Sequence, residues 1–119
     1  MIDRVPPQNI EAEQAVLGAM MIDKEAISKA TEILRENDFY RQDHRAVYQV
    51  VVDLFSKNQA VDMVTVTEAL KREGKLEDVG GIQFITYLAN AVPTAANVSY
   101  HAKIVEEKSL QYLYFSKKL

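Results

Sequence analysis

Cysteine is absent from this chain, which removes disulfides, thiolate metal sites and cysteine nucleophiles together. The absence suits a reducing compartment. No run of residues approaches the ~20 apolar positions that span a bilayer. The opening Met1-Ile2-Asp3-Arg4-Val5-Pro6-Pro7 also lacks the apolar centre of a signal peptide. Positive charge is scarce: 14 Lys and Arg against 17 Asp and Glu leave a net charge of −3. Holding DNA by its phosphates needs the opposite balance, because counterion release drives most of that affinity. The most basic stretches, Lys71-Arg72 and Lys117-Lys118, form no patch. These absences predict a soluble, cytoplasmic domain without direct nucleic-acid contact and without a membrane segment.

Chemistry-bearing motifs are missing too. No GxxxxGK[ST] loop exists to cradle phosphate, and the bare pair Gly80-Gly81 reads as the entry to a helix. Nucleophilic catalysis needs an oriented base. The two histidines, His44 and His101, have no partner in their local sequence and read as surface or partly buried polar residues. Helical di-metal sites use Glu-x-x-His, but the residues three before His44 and His101 are Arg41 and Val98. The pairs Glu77-Asp78 and Glu106-Glu107 read as solvated surface. The expectation is no catalytic, cofactor-binding or metal-binding residue.

What is present is helical periodicity in a 119-residue chain that is 48% hydrophobic, enough for one core. Residues 1–8 form an extended lead, since Pro6 and Pro7 bias their neighbours away from helix. Asn9 caps a first helix over about 10–21, with Glu11 and Glu13 near its positive end. Gly18 inside it marks either a close backbone approach or a tolerated defect. Asp23 caps a second helix with Ala26, Ile27, Ala30, Ile33 and Leu34 on one face. Asn37-Asp38 ends it, and Phe39-Tyr40 tuck into the core.

A third helix spans about 43–57. Its Val50-Val51-Val52 run would suit a strand, yet Val47, Tyr48, Val51, Leu54 and Phe55 keep the helical series. Thr65 to Glu68 matches a capping box for a short fourth helix that Gly74 stops. A fifth helix, about 81–91, faces Ile82, Ile85, Leu88 and Ala89 inward and is closed by Pro93. A last helix runs from about 96 to the end. The whole is predicted to be all-α, a compact bundle of about six helices. Residues 9–95 form the bundle and 96–119 the long last helix.

Val98, Ala102, Ile104 and Val105 continue a core stripe in that last helix, but Leu110, Tyr112, Leu113, Tyr114 and Phe115 spread round its circumference. A helix apolar on more than one face must bury the second face elsewhere. Tyr112, Leu113 and Phe115 are therefore candidate self-association residues.

The stretch from Val64 to Asn90 has the outline of a helix-turn-helix. Its second helix, Ile82 to Asn90, carries no Lys or Arg, which disfavours DNA reading.

The sequence from Arg4 to Ala19, RVPPQNIEAEQAVLGA, resembles the opening signature of bacterial replicative DNA helicases of the DnaB type. Asp38-Phe39-Tyr40 with Asp43-His44, Val61 to Val66, Val79-Gly80-Gly81, Val92 to Asn97 and Ile104 to Lys108 resemble later landmarks of that family in the same order. The resemblance covers about residues 4–109. It implies the family's N-terminal helical domain, which builds a collar on the helicase ring by self-association and docks primase. It implies that the parent uses ATP and Mg to unwind DNA through a later RecA-like domain absent here, so that this fragment is itself no enzyme and holds no cofactor. The implied partners are other copies, as a dimer or more within a hexameric ring, then primase and a helicase loader.

Glu11 matches a position the family uses to meet primase, and Phe84 stands where the family often has Tyr; both are candidate primase-facing residues. After Ser109 the family commonly continues with an arginine-containing helix, and this chain does not. The last helix would be the first arm of a helical hairpin whose second arm and linker are missing. The alternatives are the helicase-binding domain of primase and a DNA-binding helical regulator.

Overall fold

The structure, a computed structural model, describes residues 5–117. Residues 1–4 of the expected lead and 118–119 of the expected last helix lie outside the described residues. Six α-helices and no strand are found among the described residues: α1 (Ile10–Ile22), α2 (Lys24–Ile33), α3 (Gln42–Ser56), α4 (Met63–Arg72), α5 (Gly81–Ala89) and α6 (Val98–Lys117). A single 3-10 turn, Glu36–Asp38, sits between α2 and α3. No helix of the described residues is long and apolar enough to cross a membrane.

Helix α1 is the axle of the bundle and packs against α2, α3, α5 and α6. It is buried on nearly every side, through Ala12, Val16, Leu17, Ala19, Met20 and Met21. A helix apolar all round belongs in the middle of a fold. Asn9 starts it as expected, its side-chain oxygen accepting the Ala12 N–H at 2.9 Å. Gly18 marks a close approach: a Cβ there would lie 2.4 Å from the carbonyl oxygen of Leu88 in α5.

Asp23 caps α2 by accepting the Glu25 N–H at 3.0 Å. The helix ends at Ile33, earlier than Asn37-Asp38. Leu34 is extended and turns its side chain into the core, while its carbonyl accepts the Tyr48 hydroxyl at 2.8 Å. Burial pushes that hydroxyl's pKa up to about 12. Asp38 then accepts the Arg35 N–H at 2.7 Å and tightens the 3-10 turn. Phe39 is fully buried with its ring 4.8 Å from that of Tyr48. Tyr40 departs from expectation; it remains 38% exposed and meets Tyr112 of α6 edge-on at 5.9 Å.

The β-branched run of α3 is helical, with Val47, Val50, Val51 and Leu54 buried. For α4 the expected cap is displaced. Asp62, not Thr65, is the cap: its carboxylate accepts the Thr65 N–H at 2.9 Å and Thr65 Oγ1 accepts the Asp62 N–H at 2.9 Å. Thr65 is thus the third helical residue, and Glu68 pairs loosely with Lys71 on the surface. Gly74 follows the end of α4 at φ +69°, the left-handed conformation that a helix stop favours.

Helix α5 ends at Ala89, two residues short of the expected 91. It buries Gly81, Ile85 and Leu88, with Phe84 half-buried beside them. Ile82 falls outside that arc and is 53% exposed, contrary to its expected inward position. Helix α6 starts at Val98 and buries Val98, Ala102 and Val105. Ser109 ties it to the bundle further along, its hydroxyl meeting Asp38 Oδ1 at 2.7 Å. Beyond it Leu110, Leu113 and Tyr114 are exposed, and the molecule measures 46 × 29 × 25 Å.

Candidate docking surface and its buried support

Glu13 lies in the first turn of α1, one helical turn before Leu17, so the helix carries it inward. Only 2% of its surface is exposed. A buried carboxylate is costly unless donors surround it, and three do. Its Oε2 accepts the N–H of Tyr40 at 2.6 Å; its Oε1 accepts Nδ1 of His44 at 2.7 Å and, more weakly, the N–H of Arg41 at 3.5 Å. Arg41, the residue before α3, makes no side-chain cap of its own. Glu13 therefore holds, from another helix, the two residues that lead into α3.

His44 corrects the expectation of a partnerless histidine. It is fully buried, on the same face of α3 as Val47, Tyr48 and Val51, and Glu13 is its partner. The carboxylate can only accept, so Nδ1 carries the proton and Nε2 is left buried with no partner among the described residues. The ring stacks parallel to Phe84, 5.7 Å between centroids and 6° between planes. Gly80 also lies close to Phe84: an added Cβ there would stand 3.0 Å from Phe84 Cβ. Gly80 is left-handed at φ +108°, a second reason for glycine there.

Around this core lies a charged collar. Arg41 holds Asp43 through two bonds of 2.9 and 2.6 Å, and Asp43 accepts the His44 N–H at 2.8 Å. Burial pushes the Asp43 carboxyl up, but the Arg41 hydrogen bond and the charges of His44 and Arg41 outweigh it and hold the group below its usual range. The Asp43 hydrogen bond likewise raises the Arg41 guanidinium against the opposing effect of burial. Glu13 also floors an open cleft of about 670 Å³ walled by Asp38, Tyr40, Arg41, Lys108 and Tyr112.

The residues singled out in the sequence fall at three places. Glu11 is exposed and lines a groove of about 480 Å³ with Tyr87, Tyr100 and His101. Phe84 does not line that groove, although Tyr87, one turn further along α5, does. Tyr112 and Phe115 lie together on α6, their rings 6.2 Å apart, and Leu113 is 55% exposed. Glu11 and Phe84 thus do not share one groove, while the rings of Tyr112 and Phe115 lie side by side. The pair that sequence reasoning missed, Glu13 and His44, has one local signal: each is a polar residue on an otherwise apolar helical face. No group of three His, Asp or Glu side chains that could hold a metal ion occurs among the described residues.

A family model for the DnaB-like helicase N-terminal domain matches residues 5–107. The chain belongs to that family. It is 54% identical over 108 residues to the replicative DNA helicase DnaC of Bacillus subtilis (strain 168), covering 91% of this chain and 24% of that protein. It is 50% identical over 108 residues to the replicative DNA helicase DnaB of Geobacillus stearothermophilus, with the same coverage of 91% and 24%. The DnaB-family chain therefore spans about a quarter of the length of these curated relatives. The crystal structure of the N-terminal domain of DnaB helicase from Mycobacterium tuberculosis superimposes with a TM-score of 0.92 at 44% identity, covering 94% of this chain and 81% of that one. The all-α fold expected from the sequence is the fold of this family.

Proposed function

We propose that this DnaB-family domain serves self-association within a helicase ring and docks primase during DNA replication. The observation that carries the reading is where the exposed large apolar residues lie. Ile82 and Tyr87 on α5 and Tyr100, Leu110, Leu113 and Tyr114 on α6 account for most of them. Tyr87 and Tyr100 share one groove, while Leu110, Leu113 and Tyr114 lie beyond the last buried residue of α6, and exposed apolar groups gathered in this way are built to be covered. Leu113 with Tyr112 and Phe115 serves contact between copies; Glu11 and Phe84 serve primase. For a longer protein containing this domain, ATP- and Mg-driven unwinding belongs to residues outside this chain, in keeping with relatives named as replicative DNA helicases. A helicase loader is a further proposed partner.

Family membership over residues 5–107 favours this reading over a helicase-binding domain of primase. The net charge of −3 weighs against a DNA-binding regulator.

Light scattering on this chain mixed with the C-terminal domain of a matching primase, with each protein alone as reference, tests the docking. A heavier co-eluting species is expected. Glu11→Ala should weaken it about tenfold with stability unchanged within about 0.5 kcal/mol. Absence of any complex, or full affinity in Glu11→Ala, overturns the docking assignment at that residue.

A further inference from the structure

We infer that Glu13 and His44 are positioning residues for the Phe84 ring, fixing the plane in which it meets a partner. The inference rests on the docking reading of Phe84. Glu13 is anchored on one side by the Tyr40 and Arg41 amides, 2.6 and 3.5 Å away, and on the other by His44 Nδ1 at 2.7 Å. A carboxylate held by the backbone leading into α3 fixes Nδ1 as a donor and leaves the imidazole little freedom to turn. The imidazole plane is then copied by Phe84, which lies within 6° of parallel to it. Gly80 stands close beside the root of the same side chain, where an added Cβ would meet Phe84 Cβ at 3.0 Å. Phe84 is therefore a half-buried ring with His44 stacked on it and little room at its base. An aromatic anchor works best when its orientation is set before the partner arrives, because less ordering remains for binding to supply. The grip reaches from α1 through α3 to α5, and no residue in it other than Phe84 need touch the partner.

Two variants separate this role from ordinary core support. His44→Asn keeps a side-chain N–H for Glu13 and removes the stacking ring. Glu13→Gln keeps the imidazole but sets a donor against a donor, whichever way its amide is turned. Affinity for the primase C-terminal domain is measured in wild type, Phe84→Ala, His44→Asn and the double variant. His44→Asn should lose about tenfold in affinity alone and under about twofold in the Phe84→Ala background. Equal losses in both backgrounds, or none in either, overturn the inference.

Nuclear Overhauser contacts between the Phe84 ring and the Gly80 α-protons supply the second readout. They should be strong in wild type and fade in Glu13→Gln; an unchanged pattern overturns the positioning role whatever happens to binding. Wild-type affinity in Phe84→Ala would instead remove the docking role of Phe84 and leave its positioning to be decided by the ring contacts.

Discussion

At Gly18 two opposing effects can be weighed on one atom. Alanine would raise helix propensity by about 1 kcal/mol, yet its Cβ would lie 2.4 Å from the Leu88 carbonyl oxygen. That neighbour is backbone and cannot swing aside, so α5 would have to move. Gly18→Ala should therefore lower stability by about 2 kcal/mol, the range of an overpacked core, as read from the urea midpoint. A gain in stability would show that α1 and α5 pack less closely than described. The sequence leaves this glycine open between close approach and tolerated defect, because the deciding atom is 70 residues away. The caps at Asn9 and Asp23 were legible for the opposite reason, since donor and acceptor are only 2 or 3 residues apart. Glu13 and His44 stand 31 positions apart, and neither one's neighbours reveal the other.

Among the elements, α4 shows how a local rule can be right in kind and wrong in register. Thr65 and Glu68 fit the spacing of a capping box, but so do Asp62 and Thr65, and the second pair forms the reciprocal bonds. Asp62→Ala should cost about 1 kcal/mol, whereas Glu68→Ala on the exposed face should stay within about 0.5 kcal/mol. Thermal melts of the two variants check this, and equal losses would contradict the observed register. The end of α2 was hidden from the sequence for a different reason. Leu34 continues the apolar stripe, but its carbonyl is claimed by Tyr48 from another helix, and the backbone leaves the helix to deliver it. Periodicity identified every helix here, while hydrogen bonds set the ends, local at the start of α4 and tertiary at the end of α2. Ile82 was misplaced because α5 buries only a narrow arc, and a short helix gives periodicity little length over which to fix the arc's centre.

For the whole molecule, the contrast is between a packed bundle and the projecting end of α6. Buried residues of that helix stop at Val105, and its apolar content continues to Phe115. A chain ending at Ser109 keeps the hydroxyl bond to Asp38 and loses the apolar end. It should remain folded and should show a lower average mass by light scattering at concentrations where the full chain associates. An identical mass distribution for both would remove α6 from the contact between copies.

The reach of Glu13 has a consequence for local stability as well. Arg41, the residue before α3, makes no side-chain cap, and the Tyr40 and Arg41 amides that lead into the helix are held by a carboxylate 27 and 28 residues earlier. The entrance to α3 is thus closed by a residue of α1 and not by its own neighbours. Those two amides are shielded from solvent only while the first and third helices stay packed, so any opening between the helices exposes them first.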